Sequence, residues 1–136
     1  MAPMGDIALS LAVKTAPRQR SRRLTLYFDT GSRRTFIRDD VARRLGNVSP
    51  LKVPISFTGL GDGGFQCAAV MSLYVRLKGI WCEHLALVAS RRDLDDEVLV
   101  GHDFMQIYNI RLDPKKRAIL LDKASLVRAQ RIRSVI

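Results

Sequence analysis

Apolar residues at every second position recur through most of this chain, interrupted by charged or glycine-rich tips rather than by any long helical stretch. Ile7, Leu9, Leu11 and Val13 alternate in "IALSLAVKT", Leu24, Leu26 and Phe28 in the next run. Ile55 and Phe57, then Met71, Leu73, Val75 and Leu77, repeat the pattern further on. A period of two buries one face of a strand and wets the other. That commits the chain to sheet.

Other segments fill in the outline. "APRQRSRR" (16–23) is an exposed basic loop, too polar for an interior and carrying Pro17. In "TFIRDDVARRLG" the period changes, so that Phe36, Ile37, Val41 and Leu45 suit one face of a short helix. Asp39 and Asp40 can serve there as N-cap and first-turn acid, and Gly46 as the stop. "HLALVAS" is a short strand, and "VLVG" (98–101) has the unbroken apolar character of a buried one. "HDFMQIYN" offers one or two helical turns with Asp103 near the start. "IRLDPKKRAILLD" is a hairpin in which Ile110 and Leu112 face Ile119 and Leu121 across an Asp-Pro-Lys-Lys turn. The whole is mainly β, with six or more strands and two short helices. Residues 1–136 read as one domain, ending in a basic segment, 123–136, that is either an edge strand or a helical tail.

Hydrophobic residues make up 47% of the chain and charged ones 26%, a soluble globular balance. No apolar run approaches the ~20 residues of a membrane span, and the first residues lack the cationic start and apolar run of a signal peptide. Two cysteines imply no disulfide framework, so a cytoplasmic protein is expected. Twenty-three Lys and Arg against thirteen Asp and Glu give a net charge of +10. Such a field attracts nucleic acid. The basic residues are scattered, however, without interleaved aromatics or a helical stripe, which makes a nucleic-acid partner the weaker reading.

Three clusters carry chemistry. Gly59, Leu60, Gly61, Asp62, Gly63 and Gly64 fit G-x-G-x-x-G, but a dinucleotide site needs a helix to follow. The residues that follow alternate as a strand, so the glycines read better as the tip of a long β-hairpin. Cys82, His84 and Cys67 do not supply four zinc ligands in a recognised spacing. As a Cys–His pair they would merely share a face of one strand, and the plainer reading is core cysteines and a solvent-facing histidine. The third cluster is Asp29-Thr30-Gly31-Ser32, a carboxylate at the end of an apolar strand. Alone it reads as a turn, and it occurs once.

Four segments together resemble the retropepsin branch of the aspartic proteases, over roughly residues 24–122. The strand into Asp29-Thr30-Gly31-Ser32, followed by "TFIRDDVARRLG", is similar to the family's catalytic turn. The 59–64 hairpin is similar to its substrate-covering flap. Val100-Gly101-His102-Asp103 is similar to the apolar-Gly signature beside that turn, and "IRLDPKKRAILL" to the hairpin after it. The resemblance implies a closed, barrel-like acid-protease fold and a peptide or protein substrate, with no metal or cofactor.

It also implies how the chemistry is shared. Two adjacent carboxylates cannot both ionise, so one can deprotonate water while the other protonates the carbonyl, as is general for aspartic proteases. With one Asp-Thr-Gly per chain, the dyad must come from a homodimer, Asp29 from each copy. By resemblance Thr30 bonds across the dimer axis, Gly31 gives its N–H to the carboxylate, and Ser32 can hydrogen-bond the catalytic acid. The chain departs from the family at His102, where many relatives carry an Arg that anchors the dimer. A His can replace it only when protonated, which would make dimerisation pH-sensitive. Two other classes stay open: a retropepsin-like module that binds peptides or partners without cutting, and a basic adaptor for nucleic acid.

Overall fold

The structure, a computed structural model, describes residues 6–58 and 64–135, the last five by backbone alone. Nine strands and three helices occur among them. They are β1 (Ile7–Lys14), β2 (Arg22–Phe28), β3 (Phe36–Arg38), α1 (Asp39–Leu45), β4 (Ser49–Phe57), β5 (Phe65–Leu77) and β6 (Ile80–Ala89). Then follow β7 (Val98–Val100), α2 (His102–Ile107), β8 (Arg111–Asp113), β9 (Ala118–Leu120) and α3 (Lys123–Val135).

The main sheet has the order β1-β2-β7-β3-β6-β5-β4, and a second pairing of β1 with β5, Val13 opposite Val75, closes six of these strands into a barrel. β4 lies outside the ring and, among the described residues, pairs only with β5. β7 explains its own composition. It runs parallel to β2 on one side and antiparallel to β3 on the other, and all three of its residues are buried. A strand covered on both faces has no polar side to present.

The barrel interior takes the inward residue of each alternating pair: Val13, Leu26, Phe28, Met71, Leu73 and Val75 are essentially inaccessible. Phe104 and Tyr108 of the α2 region and Leu126 of α3 plug the same core. A smaller apolar cluster, centred on Phe36, Phe65, Cys67 and Leu87, lies under the β4–β5 hairpin.

Several sequence expectations shift here. Phe36 and Ile37 belong to a strand, not to the helix face that also holds Val41 and Leu45; three residues are too few to display a period of two. α1 is preceded by Arg38 at the N-cap position without a side-chain cap, so Asp39 and Asp40 both act as first-turn acids. The "HLALVAS" strand begins earlier, at Ile80, after a two-residue turn in which Lys78 and Gly79 take φ of 46° and 77°. The chain after Gly64 is the strand β5, which leaves no helix to receive a pyrophosphate and removes the dinucleotide reading. Residues 123–135 form a helix, not an edge strand. The Asp-Pro-Lys-Lys hairpin has Leu112 opposite Ile119, as the alternation predicts.

Candidate active site

Asp29 is the first residue past β2. Its N–H donates to Val100 O at 3.0 Å, extending the parallel β2–β7 ladder by one step. The chain then turns on itself. Gly31 N–H donates to Asp29 Oδ1 at 2.8 Å, and Ser32 N–H to Asp29 O at 3.2 Å. A Cβ at residue 31 would stand 3.1 Å from that same carboxylate oxygen, so a side chain there would crowd the acid. Thr30 is exposed at the tip. The Ser32 hydroxyl donates to Arg34 O at 2.8 Å, not to Asp29, so in this chain it braces the turn.

Beyond the turn, residues 32–35 cross over the junction of β7 and α2. His102 N–H donates to Ser32 O at 2.7 Å and Asp103 N–H to Arg33 O at 3.1 Å. Gly101 lies directly under the crossing: a Cβ there would come within 2.2 Å of Arg34 O. Thr35, buried, joins both segments. Its hydroxyl donates to Asp103 Oδ1 at 2.8 Å and accepts from Gly101 N–H at 3.1 Å.

Asp103 is the hub of this support. Besides Thr35 it accepts from Phe104 N–H at 2.8 Å and meets His84 Nε2 at 2.9 Å. Burial works to raise its pKa, but the bonds from His84 and Thr35, the His84 charge and the Phe104 N–H together carry it below the ordinary 3.8. A carboxylate with a depressed native pKa contributes stability that is complete above the unfolded value and is lost as pH falls through the native one. Asp103→Asn should therefore cost about 2 kcal/mol near pH 5. The gap in urea midpoint between the two proteins should narrow as pH falls below the ordinary 3.8. A gap constant over that range would contradict it.

His84 is a correction. The sequence suggested a solvent-facing side chain, but it is 8% exposed and packs edge-on against Phe104 with ring centroids 5.3 Å apart. The signal was in the alternation: Cys82, His84 and Ala86 point inward together. Cys67 and Cys82 are free and buried, and burial pushes both thiols up to about 11. Protonated and enclosed, neither is a nucleophile. His102, by contrast, is exposed, and among the described residues its side chain has no partner. No three His, Cys, Asp or Glu side chains gather to hold a metal among those residues.

Asp29 opens onto a cleft of about 520 Å³ between its turn and the β4–β5 hairpin. Phe36, Phe57 and Phe65 line it as a mutually packed trio, with centroids 5.2 to 5.6 Å apart. Phe57 and Phe65 face each other where the hairpin leaves the barrel. The tip itself, residues 59–63, lies outside the described residues; of the flap glycines only Gly64 is among them. The acids near Asp29 form their own group. Burial and then the Asp29 charge raise the pKa of Asp6, against the hydrogen bond from Tyr27. Burial, Asp95 and Asp29 raise that of Asp96. Burial and the bond to Asp6 push the Tyr27 hydroxyl up to about 12.

Residues 19–104 match the family model described as aspartyl protease. No curated protein matches the chain. Among solved structures it is similar to the retroviral protease-like domain of Ddi1 from Leishmania major. That pair shares 15% identity with a TM-score of 0.60, over 86% of this chain and 90% of that one. It is also similar to the EIAV protease complexed with the inhibitor HBY-793, at 19% identity and a TM-score of 0.49, over 73% and 84% of the two chains. No helix among the described residues is long and apolar enough to cross a membrane. With the family pattern running through both the Asp29 turn and the Gly101 crossing, and with a closed barrel of the Ddi1 kind, this chain belongs to the aspartyl proteases and has the retropepsin-like fold.

Proposed function

We propose that the chain is an aspartic endopeptidase, acting as one domain that pairs with a second copy of itself. The observation that carries this is the Asp29 turn. A carboxylate held by the Gly31 N–H at the mouth of an open cleft, on a frame locked from below by Gly101, Thr35 and Asp103, is half of a proton-sharing pair. The other half comes from Asp29 of the second copy.

In the dimer one Asp29 takes a proton from water while the other, protonated, gives one to the peptide carbonyl oxygen. The resulting gem-diol collapses as the nitrogen is protonated, and the dyad returns to its starting state. The titration belongs to the pair. Thr30, exposed beside each Asp29, is placed in this reading to bond across the axis. Residues 59–64 close over an extended substrate and exclude water. Val100, Gly101, His102 and Asp103 support the turn, and exposed His102 is where the chain departs from the ion pair of its relatives.

The test is digestion of an unstructured protein at falling enzyme concentration. Activity per chain should drop with dilution as the dimer separates, and the native mass should fall from about twice 15.3 kDa to that of one chain in parallel. Activity per chain that stays constant in a particle of one-chain mass would overturn the two-chain mechanism. A dimer that binds the substrate without cutting it would overturn the protease reading itself.

A further inference from the structure

The cleft beside Asp29 is not electrically uniform. Arg33 and Arg34 line it, at the opposite end of the Asp29 turn from the strand that delivers the acid. Both are exposed, and half of the Arg34 side chain is accessible. Among the described residues nothing takes up the Arg33 guanidinium. Arg34 has one loose contact, Nε to Asp103 Oδ2 at 3.7 Å, which is beyond hydrogen-bond range. Asp103 is meanwhile satisfied by Thr35, His84 and the Phe104 N–H.

The arginines are also held firmly at their base. The carbonyls of Ser32, Arg33 and Arg34 accept from His102 N–H, Asp103 N–H and the Ser32 hydroxyl. A rigid backbone therefore presents two planar donors, Arg33 unpaired among the described residues and Arg34 held only by its 3.7 Å contact to Asp103, into a cleft whose apolar wall is the Phe36, Phe57 and Phe65 trio. Guanidinium groups match carboxylates in two-point geometry. An extended peptide places alternate side chains on one face, so one segment can offer an apolar group to the aromatic wall and a charged group to the arginines.

We infer that Arg33 and Arg34 make the site selective for peptides bearing Asp or Glu within reach of an apolar residue. This rests on the protease reading of the cleft and adds its substrate class. The acids beside Asp29, Asp6 and Asp96, do not line the cleft. Their charge keeps a substrate carboxylate away from the reacting end and leaves it to the arginine end.

The experiment uses matched, C-terminally amidated peptides with one apolar core and Glu, Gln or Lys at each flanking position in turn. Wild type should cleave the best Glu peptide with kcat/KM about 10-fold above its Gln twin, a charge-assisted bond's worth, with Lys lowest. The advantage should shrink between about 50 mM and about 500 mM salt. Arg33→Gln should reduce the Glu-to-Gln ratio, and Arg33→Glu with Arg34→Glu should reverse it in favour of Lys.

Binding of the same peptides to the Asp29→Asn protein, followed by fluorescence anisotropy, separates the two readings. If nothing is cut but Glu still binds more tightly than Gln, the protease reading fails and the acidic selectivity stands. If peptides are cut with no Glu preference in either cleavage or binding, the selectivity is wrong and the protease reading stands.

Discussion

Replacing Asp29 by Asn is expected to lower peptide hydrolysis by about 10³-fold or more, the scale of losing an acid–base group in the transition state. Stability should change by less than about 0.5 kcal/mol. The side chains have the same shape, and the Asn oxygen can still accept from Gly31 N–H, which donates to Asp29 Oδ1 at 2.8 Å in the wild type. Removing the charge also eases its repulsion of Asp6 and Asp96. What Asn cannot do is exchange a proton with water. Mixing adds a sharper result. If each site needs Asp29 from both chains, an equal mixture of wild type and variant, allowed to exchange, retains about a quarter of its dimers as wild type. Activity should fall to that fraction, whereas independent chains would keep half. A variant that cuts as well as wild type would remove Asp29 from the chemistry altogether.

Gly101→Ala should destabilise the protein by about 3 kcal/mol or more, a large share of the ~5–15 kcal/mol that holds a small domain together. The new methyl would meet backbone atoms only, with Arg34 O at 2.2 Å, Arg34 C at 2.5 Å and Arg34 N at 2.9 Å. A flexible side chain could swing aside; a backbone segment must move as a piece. Moving it pulls Ser32 and Arg33 carbonyls off the His102 and Asp103 N–H groups and Thr35 off Gly101. Asp29 sits at the head of that segment, so activity and urea midpoint should fall together. An alanine variant as stable as wild type would mean that the crossing is looser than its geometry.

The sequence made the barrel legible wherever a strand was long enough to repeat. β1, the Met71–Leu77 half of β5 and the β8–β9 hairpin announce themselves through alternation. β3 does not, because in three residues Phe36 and Ile37 are buried on opposite faces and show no period, and these two apolar positions blend into the helix that follows. β6 was cut short for another reason. An inward His84 and an outward Leu85, 57% exposed, invert the usual pattern. His84 tolerates the interior because Asp103, distant in sequence, supplies its partner.

The candidate site divides the same way. Asp29, Gly31 and Gly101 were readable because a turn and a close crossing each demand a particular residue type. Thr35, His84 and the aromatic trio were not, since each matters only through a contact made by the fold. The resemblance makes Ser32 a partner for the acid, whereas its hydroxyl ties down Arg34 O instead.

The position of β7 decides when the Asp29 turn is held in place. Residues 98–100 insert between strands that end at residues 28 and 38, and the long-range clamps on the Asp29 turn, from Val100 O, His102 N–H and Asp103 N–H, come from residues 100–103. Contacts of such sequence separation form late, because the intervening loop must close before they return any energy. A chain emerging from the ribosome thus displays its aspartate long before it can hold it. Until β7 threads home, the Asp29 turn lacks the frame that holds it, and if the chain is the protease proposed above, nothing is cut before that step.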